Sequence, residues 1–87
     1  MDHHEAYRLI QELLDELGRR PYSDLESRVG MATTEQVATA SGASIVLEWR
    51  VDRSTGEPPR LVVTATADSP DWFRVDRLEE RIFVREP

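Results

Sequence analysis

The chain has 87 residues, which is enough for one small domain. Its seventeen carboxylates outnumber eleven cations, all of them arginine, and the net charge of −6 argues against nucleic-acid binding, which needs surplus positive charge to displace phosphate counterions. No apolar run approaches the ~18 residues of a membrane helix, and the absence of cysteine excludes disulfides and thiolate metal sites.

The first predicted element is an amphipathic helix. Apolar residues recur at spacings of three and four and form one stripe: Ala6, Leu9, Ile10, Leu13, Leu14 and Leu17. Gly18 is expected to cap this helix in the left-handed conformation, and Pro21 to prevent its continuation.

A second, shorter helix is predicted to follow. Ser23 and Glu26 have the spacing of a capping box, in which each side chain bonds to a free backbone amide. Leu25 and Val29 share a face, and Gly30 is expected to end the segment. This helix is too short and too acidic for the recognition helix of a helix-turn-helix, so that interpretation is rejected.

From about residue 34 the apolar pattern changes to a period of two, as in strands with one buried face. One apolar set alternates with a second, mostly polar set over Ile45–Val51 and again over Leu61–Ala67, with Val46 and Val62 in the second set. The breaker-rich residues 54–59 between them predict an antiparallel hairpin. Upstream, Gln36–Ala40 predicts a weaker strand, and Ser41–Gly42 a tight turn.

The apolar pattern also constrains the register of this hairpin. The two apolar sets share a face only when odd-numbered residues pair with odd-numbered ones, whereas a symmetric six-residue loop pairs Val51 with Val62. We therefore expect an odd-length loop or a bulge beside Gly56. Trp49 is then expected to lie beneath the first helix.

The C-terminal segment allows two interpretations. Ser69–Asp71 resembles a helix start with proline in first position, and Trp72, Val75, Leu78 and Ile82 fit helical spacing. We favour a strand or turn near 72–75, an irregular or single-turn stretch through 76–80, and a final strand at 81–85. A helix is the alternative over residues 70–80.

Together these elements predict an α+β fold. An N-terminal helix and a short second helix pack on one face of a three- to four-stranded antiparallel sheet, which needs such a cover to be stable. We expect a single domain over 1–87, helical over 2–30 and a β-meander over 34–85.

The order of these signals resembles a group of small uncharacterised bacterial α+β proteins that have an acidic N-terminal helix and a β-meander. The matching stretches are Glu12–Gly30, Ser41–Gly42, Glu48–Asp52, Arg60–Ala65 and Arg81–Val84. The resemblance implies the same fold. The group has no assigned activity, so no functional residue is carried over from it.

No motif in the chain points to catalysis. His3 and His4 lie about 100° apart on a helix and have no third histidine to complete a metal site. The paired carboxylates are those expected of any acidic chain, and nucleophile elbows and glycine-rich phosphate loops are absent. We therefore expect no enzyme, no catalytic, cofactor or metal site, and no small-molecule ligand.

One short segment is a candidate partner surface. Trp72 and Phe73 adjoin Arg74, and an exposed aromatic beside arginine is typical of interface hot spots. Ordinary packing under the sheet edge is the alternative. The arginines that begin here alternate with acidic residues and predict a salt-bridged surface: Arg74, Arg77, Arg81 and Arg85.

These observations favour a non-enzymatic, cytoplasmic domain that binds another protein, or itself, through a sheet edge. The unpaired backbone groups of an edge strand pair readily with another chain. The alternative is an acidic inhibitor or immunity-type partner of a basic protein, steered by the carboxylates of the first helix. Nucleic-acid and membrane partners are not expected.

Overall fold

Two helices precede four strands in the computed structural model of the chain, which describes residues 3–39, 42, 44–56, 60–69 and 77–86. The elements are α1 (His3–Gly18), α2 (Tyr22–Glu26), β1 (Ala32–Ala38), β2 (Ser44–Arg53), β3 (Arg60–Asp68) and β4 (Arg77–Arg85). The strands pair in chain order as one antiparallel meander. The predicted α+β class, with its short second helix and single antiparallel sheet, is confirmed.

The apolar stripe of α1 faces the sheet, as its spacing predicts. Its buried side chains are Ala6, Ile10, Leu14 and Leu17. The helix lies over β3 and β4. Leu9 and Leu13, at the side of the stripe, are half-buried against the same core.

The predicted glycine cap of α1 is wrong. Gly18 is the last residue of the helix and does not have a positive φ. The amides of Arg19 and Arg20 instead bond to carbonyls three residues earlier, both at 3.2 Å, which tightens the final turn. Pro21 then prevents another turn, because its ring clashes with the preceding helical backbone.

The capping box predicted for α2 is also wrong. The helix follows directly on Pro21, so Ser23 lies inside it and no side chain caps its start. The carbonyl of Ser23 accepts a bond from the amide of Ser27 at 3.1 Å. The helix ends at Glu26, earlier than the predicted stop at Gly30, and Val29 lies outside it in a bridge to Val51. Gly30 has a φ of 84°, and its amide donates to the carbonyl of Val51 at 2.8 Å. This bond brings the chain alongside β2, where β1 begins.

The register of the central hairpin agrees with the apolar pattern. Trp49 pairs with Ala65 and Val51 with Val63. The last pair is Arg53 with Leu61, so seven residues, 54–60, separate these paired positions, an odd number, as predicted. The last of the seven, Arg60, already belongs to β3 through its pairing with Arg85 of β4. The even sum of paired numbers places both apolar sets on the side of α1.

The two outer strands differ from their predicted bounds. β1 begins at Ala32, earlier than expected, and ends at Ala38. β4 begins at Arg77, so the irregular stretch expected through 76–80 is wrong from residue 77 onward, as is the helical alternative for those residues. Continuous pairing of β4 with β3, from Asp68–Arg77 to Arg60–Arg85, outweighs the local helical spacing. Residues 70–76 lie outside the described part of the chain.

The core lies between the sheet and the helices. Its buried apolar strand residues are Ile45, Leu47, Trp49, Val51, Leu61, Val63, Ala65 and Ala67. Leu25 of α2 joins the four buried residues of α1. None of the described helices is long and apolar enough to cross a membrane.

Candidate protein-interaction surface

The partner surface predicted from the sequence, Trp72, Phe73 and Arg74, lies outside the described residues. It stays a prediction. Among the described residues, the candidate surfaces are the two outer strands of the sheet, β1 and β4. Only an outer strand has backbone N–H and C=O groups that are not hydrogen-bonded to a neighbouring strand.

The β4 edge carries several of the devices that protect an edge from pairing. Charged residues occupy most of its positions, and α1 packs over the strand. Arg77 lies 3.7 Å from Asp68, and Arg81 lies 3.8 Å from Glu79. The predicted salt-bridged surface is therefore confirmed for Arg77 and Arg81. An incoming strand would meet dense charge along this edge.

The β1 edge, residues Ala32–Ala38, lacks those devices. Every side chain is exposed except the half-buried Val37. The strand contains no proline and one charged residue, Glu35, and it pairs with β2 without a bulge from Ala32–Arg50 to Ala38–Ser44. Such a continuous, exposed strand presents an uninterrupted row of backbone donors and acceptors.

An exposed apolar side chain stands directly before β1. Met31 is 59% exposed, more than any other large hydrophobic residue of the described chain. Phe83 on β4 is 53% exposed, but the guanidinium of Arg60 lies 5.3 Å from the centroid of its ring. Methionine adapts its shape to different partners, so Met31 adds a flexible apolar contact to the β1 edge.

The position of α1 leaves β1 uncovered. His3 and Tyr7 line an open cleft of about 390 Å³ together with Leu78, so this side of the helix faces β4. Leu9 and Leu13 lie on the opposite side of the helix. A helix is about 10 Å wide and neighbouring strands lie about 4.8 Å apart, so one helix covers about two strands. The two strands beneath α1 are β3 and β4, and β1 lies beyond its reach.

The core is closed next to β1 by a small charged cluster instead of by α1. Trp49 is 8% exposed, and the guanidinium groups of Arg20 and Arg28 each lie 5.6 Å from its ring centroid. Asp24 lies 3.6 Å from Arg20 and 3.7 Å from Arg28, while Glu16 bonds to Arg20 at 3.0 Å. The expected helix cover of Trp49 is thus supplied largely by these two arginines, which follow α1 and α2.

Two carboxylates near the β1 edge take no part in these ion pairs. Glu35 projects on the α1 side of β1, opposite Leu47, and Glu48 projects on the other side, opposite Thr34. Neither has an ionic partner among the described residues, although Asp52 on the same strand as Glu48 lies 3.2 Å from Arg50. The β1 edge is therefore locally acidic on both faces of the sheet.

The remaining candidates from the sequence are the histidines and the paired carboxylates. Within the described ranges, no three histidine, aspartate or glutamate side chains come together as a metal site would require. Glu12 and Asp15 project from the exposed side of α1. The sequence pointed to a sheet edge without identifying it. The available signal was the polarity of Thr33 and Glu35, which occupy core-facing positions of β1.

Comparison with family models, with curated proteins and with solved structures finds no match for this chain. The resemblance to small bacterial α+β proteins therefore stays a prediction.

Proposed function

We propose that this protein is a non-enzymatic interaction domain that binds an extended segment of another chain along β1. The observation that carries the proposal is the contrast between the outer strands. The β1 edge is exposed, continuous and carries one charged residue, whereas β4 packs against α1 on one face and carries five charged residues. Natural proteins normally protect such an edge, so an unprotected one indicates use.

Strand addition would supply affinity and some selectivity. The backbone of the incoming segment would continue the hydrogen-bonded ladder of the sheet, and alternate side chains would face Val37 or the opposite side. Met31 lies where one end of that segment would pass. The segment can come from a different protein or from a second copy of this chain.

Nuclear magnetic resonance provides a direct test of strand addition with the full ¹⁵N-labelled chain. The probe is a capped peptide of sequence Thr-Val-Thr-Gln-Gln-Thr-Val-Thr, which has high β-propensity and no charge. We expect it to shift the amide resonances of Ala32–Ala38 and to slow their hydrogen exchange, leaving those of Arg77–Arg85 unchanged. A second peptide, N-methylated at alternate residues, should leave β1 unperturbed because it lacks the backbone donors.

Equal binding of the two peptides would contradict the proposal, since binding would not then depend on the backbone ladder. Shifts confined to β4 would contradict it as well. Met31→Gln should weaken binding of the unmodified peptide about two- to fivefold through the lost apolar contact. Phe83→Gln on the other edge is the matched control and should have no effect.

A second candidate function is supported by α1. Glu12 and Asp15 are exposed and have no ionic partner in the described part of the chain, so this helix surface is suited to steering a basic protein. A hexa-arginine peptide would then shift α1 resonances in the wild type and not in the Glu12→Gln/Asp15→Asn variant. Shifts restricted to β1 would favour strand addition instead.

We also propose that the domain acts in the cytoplasm and without a nucleic-acid partner. A chain with no cysteine gains nothing from an oxidising compartment. Its net charge of −6 opposes phosphate binding. Absence of a gel shift at about 150 mM salt with DNA or RNA at micromolar concentrations is the expected result.

A further inference from the structure

We propose that the segment completing the sheet at β1 is cationic, with an arginine or lysine on each face of the added strand, and that it comes from a partner other than a second copy of this chain. This inference rests on the proposed strand addition and specifies the partner. It follows from the two carboxylates that flank the β1 edge, Glu35 and Glu48.

Glu35 occupies the middle of β1, where an added strand would pass beside it. It is the only charged residue of the strand, it is exposed, and no described cation pairs with it. Side chains directly opposite one another on adjacent strands lie about 5 Å apart at Cβ, within reach of an ion pair. A cation on the α1 side of the added strand would neutralise Glu35 there.

Glu48 supplies the second charge, on the other face. It lies one strand further in, opposite Thr34, and Thr34 is short. The long side chain of an arginine on the added strand can extend over Thr34 towards the carboxylate. The other described strand carboxylates on this face, Asp52, Asp68 and Glu79, each have an arginine partner.

A second copy of this chain fits the edge less well. Antiparallel pairing of β1 with itself about a two-fold axis keeps side chains of the same parity opposite each other. Registers that pair five or more residues are centred on Thr34, Glu35 or Gln36. Each of them places the two Glu35 side chains directly opposite or diagonal to one another, and β1 contains no cation to separate them.

Three peptides that differ only at their two central residues test the charge requirement. They carry Arg-Arg, Gln-Gln or Glu-Glu within the same threonine–valine frame, and binding is followed through the β1 amides of the full chain. Adjacent residues of a strand face opposite sides, so each pair presents one side chain to each face. We expect the Arg-Arg peptide to bind about three- to tenfold more tightly than Gln-Gln at low salt, with Glu-Glu weakest.

Variants of the protein identify which carboxylates produce the preference for the Arg-Arg peptide. Glu35→Gln should reduce the preference for Arg-Arg over Gln-Gln to about twofold or less, and the double variant Glu35→Gln/Glu48→Gln should abolish it. Glu12→Gln is the matched control, because it removes an exposed, unpaired carboxylate from α1. The preference should be unchanged in that variant and should fall as salt rises from about 50 to 500 mM.

The outcomes separate this inference from the function on which it rests. Equal binding of the Arg-Arg and Gln-Gln peptides through β1 would overturn the charge requirement and leave strand addition intact. Failure of all three peptides to shift β1 would overturn both. Sedimentation equilibrium without peptide gives the third outcome: a particle of twice the monomer mass with protected β1 amides would identify the partner as a second copy.

Discussion

The two outer strands of this sheet have opposite relations to the rest of the molecule. β4 lies under α1, contributes Leu78, Ile82 and Val84 to the edge of the core, and displays paired charges outward. β1 contributes only the half-buried Val37 and exposes the rest of its side chains. One edge is used for stability, while the other adds little to it.

This difference has a simple geometric origin. This domain has one long helix, α1, which covers the half of the sheet formed by β3 and β4. The boundary of the covered half runs through β2, where Trp49 is enclosed by Arg20 and Arg28. Beyond that boundary β1 is free to serve as a surface without weakening the core.

The largest expected effect compares neighbouring residues of β2 at this boundary. Trp49→Ala removes a large buried ring and should lower the free energy of unfolding by about 3–5 kcal/mol, enough to unfold a domain of this size. Glu48→Ala, on the opposite face, should cost under about 0.5 kcal/mol. Urea denaturation monitored by circular dichroism measures both, and a larger loss in Glu48→Ala would contradict the assigned faces.

Gly30 controls how the chain enters β1, and its substitution should have the next largest effect. Its φ of 84° lies in a region that strains any residue with a Cβ, and its amide bonds to Val51. We expect Gly30→Ala to cost about 1–2 kcal/mol. Gly56→Ala, where φ is not positive, is the matched control and should change stability by less than about 0.5 kcal/mol.

A matched pair of valines tests the contrast between the edges themselves. Val84 on β4 and Val37 on β1 are both half-buried and both project towards the side of α1. Val84→Ala should cost about 1–1.5 kcal/mol, because β4 lies beneath the helix, and Val37→Ala about 0.5 kcal/mol. A cost at Val37 equal to that at Val84 would mean that β1 is as firmly integrated as β4.

The smallest expected effect concerns the charged cluster over Trp49. Asp24 lies within 4 Å of both Arg20 and Arg28, and all three side chains are partly exposed. Asp24→Asn should therefore cost only about 0.5–1 kcal/mol, decreasing at high salt. Asp15→Asn, which removes an unpaired surface carboxylate, should be neutral. Tryptophan fluorescence would report any accompanying exposure of Trp49.

Several features of this fold follow from the sequence alone. The stripe from Ala6 to Leu17 predicts which face of α1 is buried, because a helix repeats every 3.6 residues. The alternation around Trp49 and Val63 predicts both the buried face and the odd-length connection, because a slip of one residue would turn the apolar set outward. The repeat of apolar residues identifies the buried face of a helix or strand whenever one side of the element is apolar and the other side is polar.

Other features were decided only by tertiary contacts. The local pattern at Leu78 and Ile82 fits a helix, yet pairing with β3 extends the strand back to Arg77. Ser23 has the spacing of a cap, yet Pro21 starts α2 earlier and places Ser23 inside it. In each case the local preference is worth about 1 kcal/mol or less, and a ladder of strand pairing or a fixed proline φ outweighs it.

The candidate surface belongs to the second group. The sequence of β1 shows a weak strand with a single charge at Glu35, which is compatible with a central or an outer position. Its place at the edge depends on strand order, and its exposure depends on where α1 lies. Strand order and helix placement are set by contacts between residues far apart in the chain, whereas periodicity describes only neighbours.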